Sequence, residues 1–455
     1  MPADSARARA GAVAGTGAVL LSLGGGKWGA YLGLPPVFPI DMLLLAAGAH
    51  ALAGALLRPS GGRPRAWPGW PLAGFVAYPM VRFLLGPDHS LTAVRDLAPY
   101  GYGVVGFLAA WSVAGSTPEQ RLRTRRLVDV ALLFHLAWVA LVLARPQLPA
   151  RLPLISAAQG LHLLDIRLAS DGTVVGVTAA LYFLRLVRDG RRRNSVVLVV
   201  ALWEVLMMAS RASLLSTAAA LAVTFWLGCV RADASIRGRR RRLALLGLLP
   251  AGLAFAVVVV PRTTPGSKLL SSAGLAAANS TEDELGLGTR HGRDLAWAAI
   301  REYIAQTHHR GLGVGFGPDY LAESGAREPL GNSDLLRLPH SFAIGVYARL
   351  GVVGVAALAL LVLALVAATV RLRRVAGSDD LLLLAIVLPV AFLVSGSVGV
   401  QIESPFGAVP FYWCLGLLLQ RARSSWPAAP AGPADRGADA TAGEPAPVGA
   451  DVEAG

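Results

Sequence analysis

Charge is scarce in this chain. Only 15% of its 455 residues are Asp, Glu, Lys or Arg, against 54% hydrophobic, and the mean hydropathy is +0.54. A water-soluble domain has no way to cover that much apolar surface, so that class is excluded. Cysteine is nearly absent as well. Cys229 and Cys414 both sit in apolar runs, which excludes a disulfide framework or a cysteine metal site and reads as two small core residues. The chain has no visible internal repeat, and its polar segments hold no Asp-x-Asp pair and no His/Cys ligand cluster. Residues 1–10, with Arg7 and Arg9, lack the usual form of a cleaved leader, so the segment after them is expected to remain as a first span.

What the chain does have is a series of apolar runs of about 16–25 residues, close to the roughly 20 that cross a bilayer as helix. An open sheet would leave its backbone unsatisfied in lipid. The expected fold class is therefore all-α, a polytopic transmembrane helical bundle of about twelve spans. The runs place these at 11–33, 38–57, 71–86, 98–115, 127–144, 173–188, 195–209, 212–230, 243–261, 340–370, 380–398 and 405–421. Arginine clusters mark every second connection: Arg58/Arg63/Arg65, Arg121/Arg123/Arg125/Arg126, Arg188/Arg191/Arg192/Arg193, Arg237/Arg239/Arg240/Arg241/Arg242 and Arg371/Arg373/Arg374. By the positive-inside rule these loops and both termini are cytoplasmic. The net charge of +14 is then a topology signal, and nucleic acid is not expected as a partner. The domains that follow are nine spans over 1–261, a large extracytoplasmic loop over 262–339, three spans over 340–423, and a Pro/Ala/Gly-rich disordered tail over 424–455.

The polar stretch from Arg262 to Gly354 is the candidate site. His340 follows Pro339, precedes Ser341 and opens a span. At a helix N-terminus the dipole disfavours a positive imidazole, which suits a general base; an interfacial histidine that caps the loop is the alternative. Arg211 lies between two apolar runs with Ser210 before it, a costly place for a charge unless it pairs or faces water. Glu204, seven residues earlier, shares a helix face with it and is its expected partner, unless the pair is structural or Arg211 reaches the headgroups. Arg293, with Arg290 and Arg301 near it, offers guanidinium groups that clamp phosphate bidentately. For Arg290 and Arg301 the favoured alternative is a helix lying on anionic lipid. A helical stripe of Trp297, Ile300 and Ile304 is expected. The run Gly311-Leu312-Gly313-Val314-Gly315-Phe316-Gly317 lacks the Lys-Ser/Thr and preceding strand of a phosphate loop, so a turn joining two loop helices is expected. Gly351 and Gly354 are expected to let their span pack closely on a neighbour. Arg82, Arg95 and Glu403 are weaker candidates on the same side. Asn279-Ser280-Thr281 is a weak sequon.

These residues resemble a family. His340-Ser341 followed at a distance by Gly351-Val352-Val353-Gly354 is similar to the signature of the O-antigen ligase and polymerase family, bacterial membrane glycosyltransferases that use polyprenyl-diphosphate-linked glycans. Gly292-Arg293 followed by Trp297 resembles the family's Gly-Arg-x-x-x-Trp segment. Gly311-Leu312-Gly313-Val314-Gly315 resembles its Gly-x-Gly-x-Gly segment, and Ser210-Arg211 its Ser/Thr-Arg motif. The resemblance spans about residues 195–372. It implies that Arg211 and Arg293 hold the diphosphate of the donor, and that His340 takes a proton from, or orients, the acceptor hydroxyl. The transfer would need no metal or other cofactor and would invert the anomeric centre. The partners it implies are a polyprenyl-diphosphate-linked glycan, a glycan or glycolipid acceptor, and membrane lipid. Polymerisation of lipid-linked repeats is the close alternative to ligation. A glycolipid transporter is a more distant one and predicts broken helices and an inverted repeat.

Overall fold

The computed structural model describes residues 2–33, 38–56, 68–114, 116–156, 160–231, 281–331 and 337–424. They are mostly helical. The helices are α1 (Pro2–Ala30), α2 (Pro39–Leu56), α3 (Trp70–Leu84), α4 (Leu91–Gly101), α5 (Val104–Ala114), α6 (Pro118–Ala144), α7 (Leu168–Asp189), α8 (Arg192–Met207), α9 (Arg211–Arg231), α10 (Thr281–Gln306), α11 (Tyr320–Glu323), α12 (Phe342–Ala376), α13 (Asp380–Gly396) and α14 (Pro405–Ser424). A small antiparallel pair, β1 (Leu154–Ser156) with β2 (Leu161–His162), lies between α6 and α7. The expected span 243–261, the first part of the large loop, Asn279 and Ser280 of the sequon, and nearly all of the expected tail lie outside the described residues.

Among the described residues, four helices are long and apolar enough to cross a bilayer: α6, α7, the Arg211–Gly228 part of α9, and α12. They mark a membrane protein. The expected span 98–115 is corrected. Pro99, Gly101 and Gly103 interrupt that run, and it folds as two helices, α4 and α5, with a turn at Tyr102-Gly103. α5 has 11 residues, about 16 Å of helix, roughly half a hydrocarbon core.

The centre of the bundle is α13 and α14. Ile386, Val387, Leu388, Phe392, Phe411, Tyr412 and Leu418 are fully buried on several faces of these helices, as expected of helices that are apolar all round. α14 packs on α1, α5 and α13, and α13 on α7 and α9. At the end of α12 remote from His340, the N-terminal residue of α13, Asp380, is buried and gathers three arginines. Arg185 Nε lies at 3.0 Å, Arg188 Nη1 at 2.9 Å and Arg125 Nη2 at 2.5 Å from its carboxylate oxygens. Arg125 and Arg188 come from two different arginine clusters, which therefore meet at one end of the bundle.

Candidate active site

The chain enters α12 through Pro339-His340-Ser341. His340 is in the left-handed region at φ +57, where a non-glycine residue costs on the order of 1–3 kcal/mol and must be held by its surroundings. Trp297 supplies one hold, its Nε1 donating to the Pro339 carbonyl at 2.7 Å. Ser341 supplies the other by starting the helix, its carbonyl accepting from Gly345 N at 2.9 Å. Its hydroxyl forms no cap.

Trp297 is one turn beyond Arg293 on α10. The buried face of that helix is Ala296, Ile300 and Ile304, packed on Tyr320, Leu321 and Ala348, with Trp297 only partly buried beside it. The stripe thus runs through Ala296 rather than Trp297. This leaves Trp297 to face Pro339 and Arg293 to face the bundle, where Arg293 Nη1 donates to the Val398 carbonyl at 2.8 Å. Arg293 is close enough to depress the His340 imidazole below its usual value, second to burial as a cause. Both act in the direction expected of the helix N-terminus. The imidazole is neutral at physiological pH.

Arg211 completes the group. α8 stops at Met207, Ala209 takes φ +47, and α9 begins at Arg211. The break delivers the arginine to the same end of the bundle as His340. Its guanidinium repels that of Arg293, whose proton affinity is lowered by burial first and by Arg211 second. Arg290 and Asp294 also lie within electrostatic reach of Arg211 and form an exposed pair with each other at 3.9 Å. One expectation fails here. Glu204 is fully buried with no hydrogen-bond partner on either carboxylate oxygen. It does not pair with Arg211, because the turn at Met208–Ser210 ends the helix whose face they were expected to share. Arg301 is exposed two turns beyond Arg293 and is not brought to the group.

The glycine-rich run joins two loop helices, α10 and α11, as expected, but it is not a free turn. It is stitched into a break in α12, where Gly351 sits at φ +63, ψ −160. Val314 N and Gly315 N donate to the carbonyls of Ala348 and Arg349 at 2.9 and 3.0 Å. Val352 N and Val353 N donate back to Arg310 and Gly311 at 2.9 and 3.2 Å. A Cβ on Gly351 would lie 2.3 Å from the Gly311 oxygen, and one on Gly313 2.3 Å from the Arg349 carbonyl carbon. Gly351 therefore serves the loop rather than a neighbouring helix, and Gly354 would meet mainly side chains of its own helix, Leu350 and Val346.

Asp96 of α4 locks this arrangement. Its carboxylate is buried and pairs with Arg337 Nη2 at 2.8 Å and Arg349 Nη2 at 2.9 Å, and it accepts from Gly317 N at 3.3 Å. Arg349 also reaches the Gly315 carbonyl at 3.3 Å and stacks over Tyr320. Arg82 donates to the Gly313 carbonyl at 3.3 Å, whereas Arg95 is exposed. None of Asp96, Arg337 and Arg349 was singled out from the sequence. Arg349 carried a signal, a charge eight residues inside an apolar span.

No protein-family model matches this chain, and no curated protein does. What the site can do follows from its chemistry. Guanidinium groups from α9 and α10 lie within electrostatic reach of each other although they repel, and Arg293 lies within reach of a neutral imidazole in a constrained backbone. A multivalent anion relieves that repulsion, and phosphate matches guanidinium geometry. The imidazole supplies one donor and one acceptor for a polar group placed next to it.

Proposed function

We propose that this chain is a glycosyltransferase of the cytoplasmic membrane. It moves a glycan from a polyprenyl diphosphate to an acceptor hydroxyl at the outer face, in the manner of O-antigen ligases. The observation that carries this reading is the convergence of Arg211, Arg293 and His340, from three elements far apart in sequence, at one end of a membrane bundle. Arg211 and Arg293 bind the diphosphate and stabilise its charge as it departs, and His340 engages the acceptor. Polymerisation of lipid-linked repeats uses the same groups with a second lipid-linked glycan as acceptor. A topology with both termini inside, in which α4 and α5 together stand where one of the twelve spans was expected, belongs to this proposal; the meeting of Arg125 and Arg188 at Asp380, away from His340, supports it.

Breaks in α1 at Gly26 and in α12 at Gly351 are features a glycolipid transporter would also use. The α12 break, however, is filled by the backbone of the glycine loop rather than left open for a substrate.

The test is mass spectrometry of lipid-linked glycans in cells carrying wild-type protein, Arg293→Ala or His340→Ala. Accumulated single repeats in the variants identify a polymerase, and accumulated long chains on the carrier a ligase. A lipid pool unchanged in both variants, with protein present in the membrane, refutes the proposal.

A further inference from the structure

The connection between α13 and α14 forms part of the site, and it brings in a carboxylate. Arg293 grips this connection at Val398. Five residues on, a short 3-10 turn, Gln401–Glu403, points Glu403 at the first turn of α12. The point where a Cβ on Gly345 would stand lies 2.5 Å from Glu403 Oε1 and 3.6 Å from Pro339 Cδ. The carboxylate thus occupies the space left by the missing side chain of Gly345, against the residue that precedes His340. Its Oε2 is buried without a hydrogen-bond partner. The arginine nearest to it electrostatically, Arg349, is already committed to Asp96 and to the Gly315 carbonyl.

An uncompensated buried carboxylate is costly to keep. Glu403 is left without a hydrogen bond on Oε2, and it shares the space beside Gly345 with Pro339, the residue before His340. We infer that Glu403 is the general base of the proposed transfer and that His340 orients the acceptor hydroxyl. This rests on the function proposed above. The acceptor O–H gives its proton to the Glu403 carboxylate while the acceptor oxygen bonds to the anomeric carbon. The bond from that carbon to the diphosphate oxygen breaks, and its electron pair leaves on the polyprenyl diphosphate between Arg211 and Arg293. Glu403 then returns the proton to water.

Proton affinities agree with this division. Burial lifts the Glu403 carboxyl to about 8, with Arg349 opposing, whereas burial and Arg293 push the His340 imidazole below its usual value. The carboxylate is the better proton acceptor of the two, which suits it to the role of general base.

Glu403→Gln keeps the shape against Gly345 and removes the base; Glu403→Asp keeps a carboxylate. Both are compared with His340→Ala and Arg293→Ala by the lipid-linked glycan pool in cells. Binding of undecaprenyl diphosphate to the purified full-length proteins in nanodiscs is measured alongside. The expected result is that Glu403→Gln lowers transfer by about 10²-fold or more, keeps its membrane level and binds undecaprenyl diphosphate like wild type, while Glu403→Asp restores part of the transfer. A wild-type pool in Glu403→Gln, with accumulation in the Arg293 and His340 variants, overturns the role of Glu403 and leaves the proposed function standing. Accumulation together with lost diphosphate binding or lost protein makes Glu403 structural and also overturns the inference. No accumulation in any variant removes the function and the inference together.

Discussion

Replacing Gly351 by alanine should unstitch the glycine-rich loop from α12. Gly351 occupies φ +63, ψ −160, a region essentially confined to glycine, and a side chain there costs on the order of 1–3 kcal/mol in strain. The added Cβ would also stand 2.3 Å from the Gly311 oxygen, 2.4 Å from its carbonyl carbon and 2.6 Å from Gly313 N. All three are backbone atoms of the loop, so relief requires the loop to move. Movement threatens the four backbone hydrogen bonds that join Arg310–Gly315 to Ala348–Val353, each worth roughly 0.5–1.5 kcal/mol net. Strain plus two lost bonds amounts to about 3 kcal/mol, which is on the order of 10²-fold in the attached-to-detached equilibrium. Hydrogen exchange at Val314, Gly315, Val352 and Val353 reads this directly. Protection at these amides should fall by about that factor while the buried amides of α13 and α14 keep theirs. Gly311→Ala is the control, because a Cβ there meets nothing within 4 Å and its φ is not positive. Unchanged protection in Gly351→Ala, or equal damage in Gly311→Ala, would refute the reasoning.

Two further outcomes follow from the same geometry. Asp96→Asn leaves the buried Arg349 and the partly buried Arg337 without their shared carboxylate, at a cost of about 3 kcal/mol, the low end for a broken buried pair because Arg337 keeps Asp319. A melting midpoint several degrees below wild type is expected for the purified protein, and an unchanged one counts against the network. In right-side-out vesicles, transfer should rise as external pH climbs through about 8, where the Glu403 carboxyl loses its proton and becomes a base, and level off above it. His340 adds no limb there, because burial and Arg293 hold its imidazole below its usual value. A flat wild-type profile, or a rising limb that persists in Glu403→Gln, contradicts this assignment.

How much of this was legible beforehand varies with the reach of the interaction involved. Helical character, the long apolar spans and the arginine-marked connections are local or periodic features, set by composition over windows of about 20 residues. Most helix boundaries came within a few residues for that reason. The run 98–115 escaped because total hydrophobicity concealed Pro99, Gly101 and Gly103, which break it into α4 and α5 and so place Asp96 beside the loop. Arg211, Arg293 and His340 could each be named as a charge or imidazole in an unusual place. Their meeting could not be, since it depends on a turn at Ala209 and on how α10 lies against the bundle. Glu204 was misassigned through that same turn, since seven residues share a face only if the helix continues.

The sequence alone therefore determined a helical membrane protein with one dense polar segment, because hydrophobicity and charge act along the chain whatever it packs against. Only the tertiary structure decided what the glycines are for, which carboxylate holds the arginines, and that Glu403 reaches the first turn of α12. Those facts depend on contacts between residues separated by tens to hundreds of positions. Such contacts are set by where whole elements come to rest, and no local pattern encodes them.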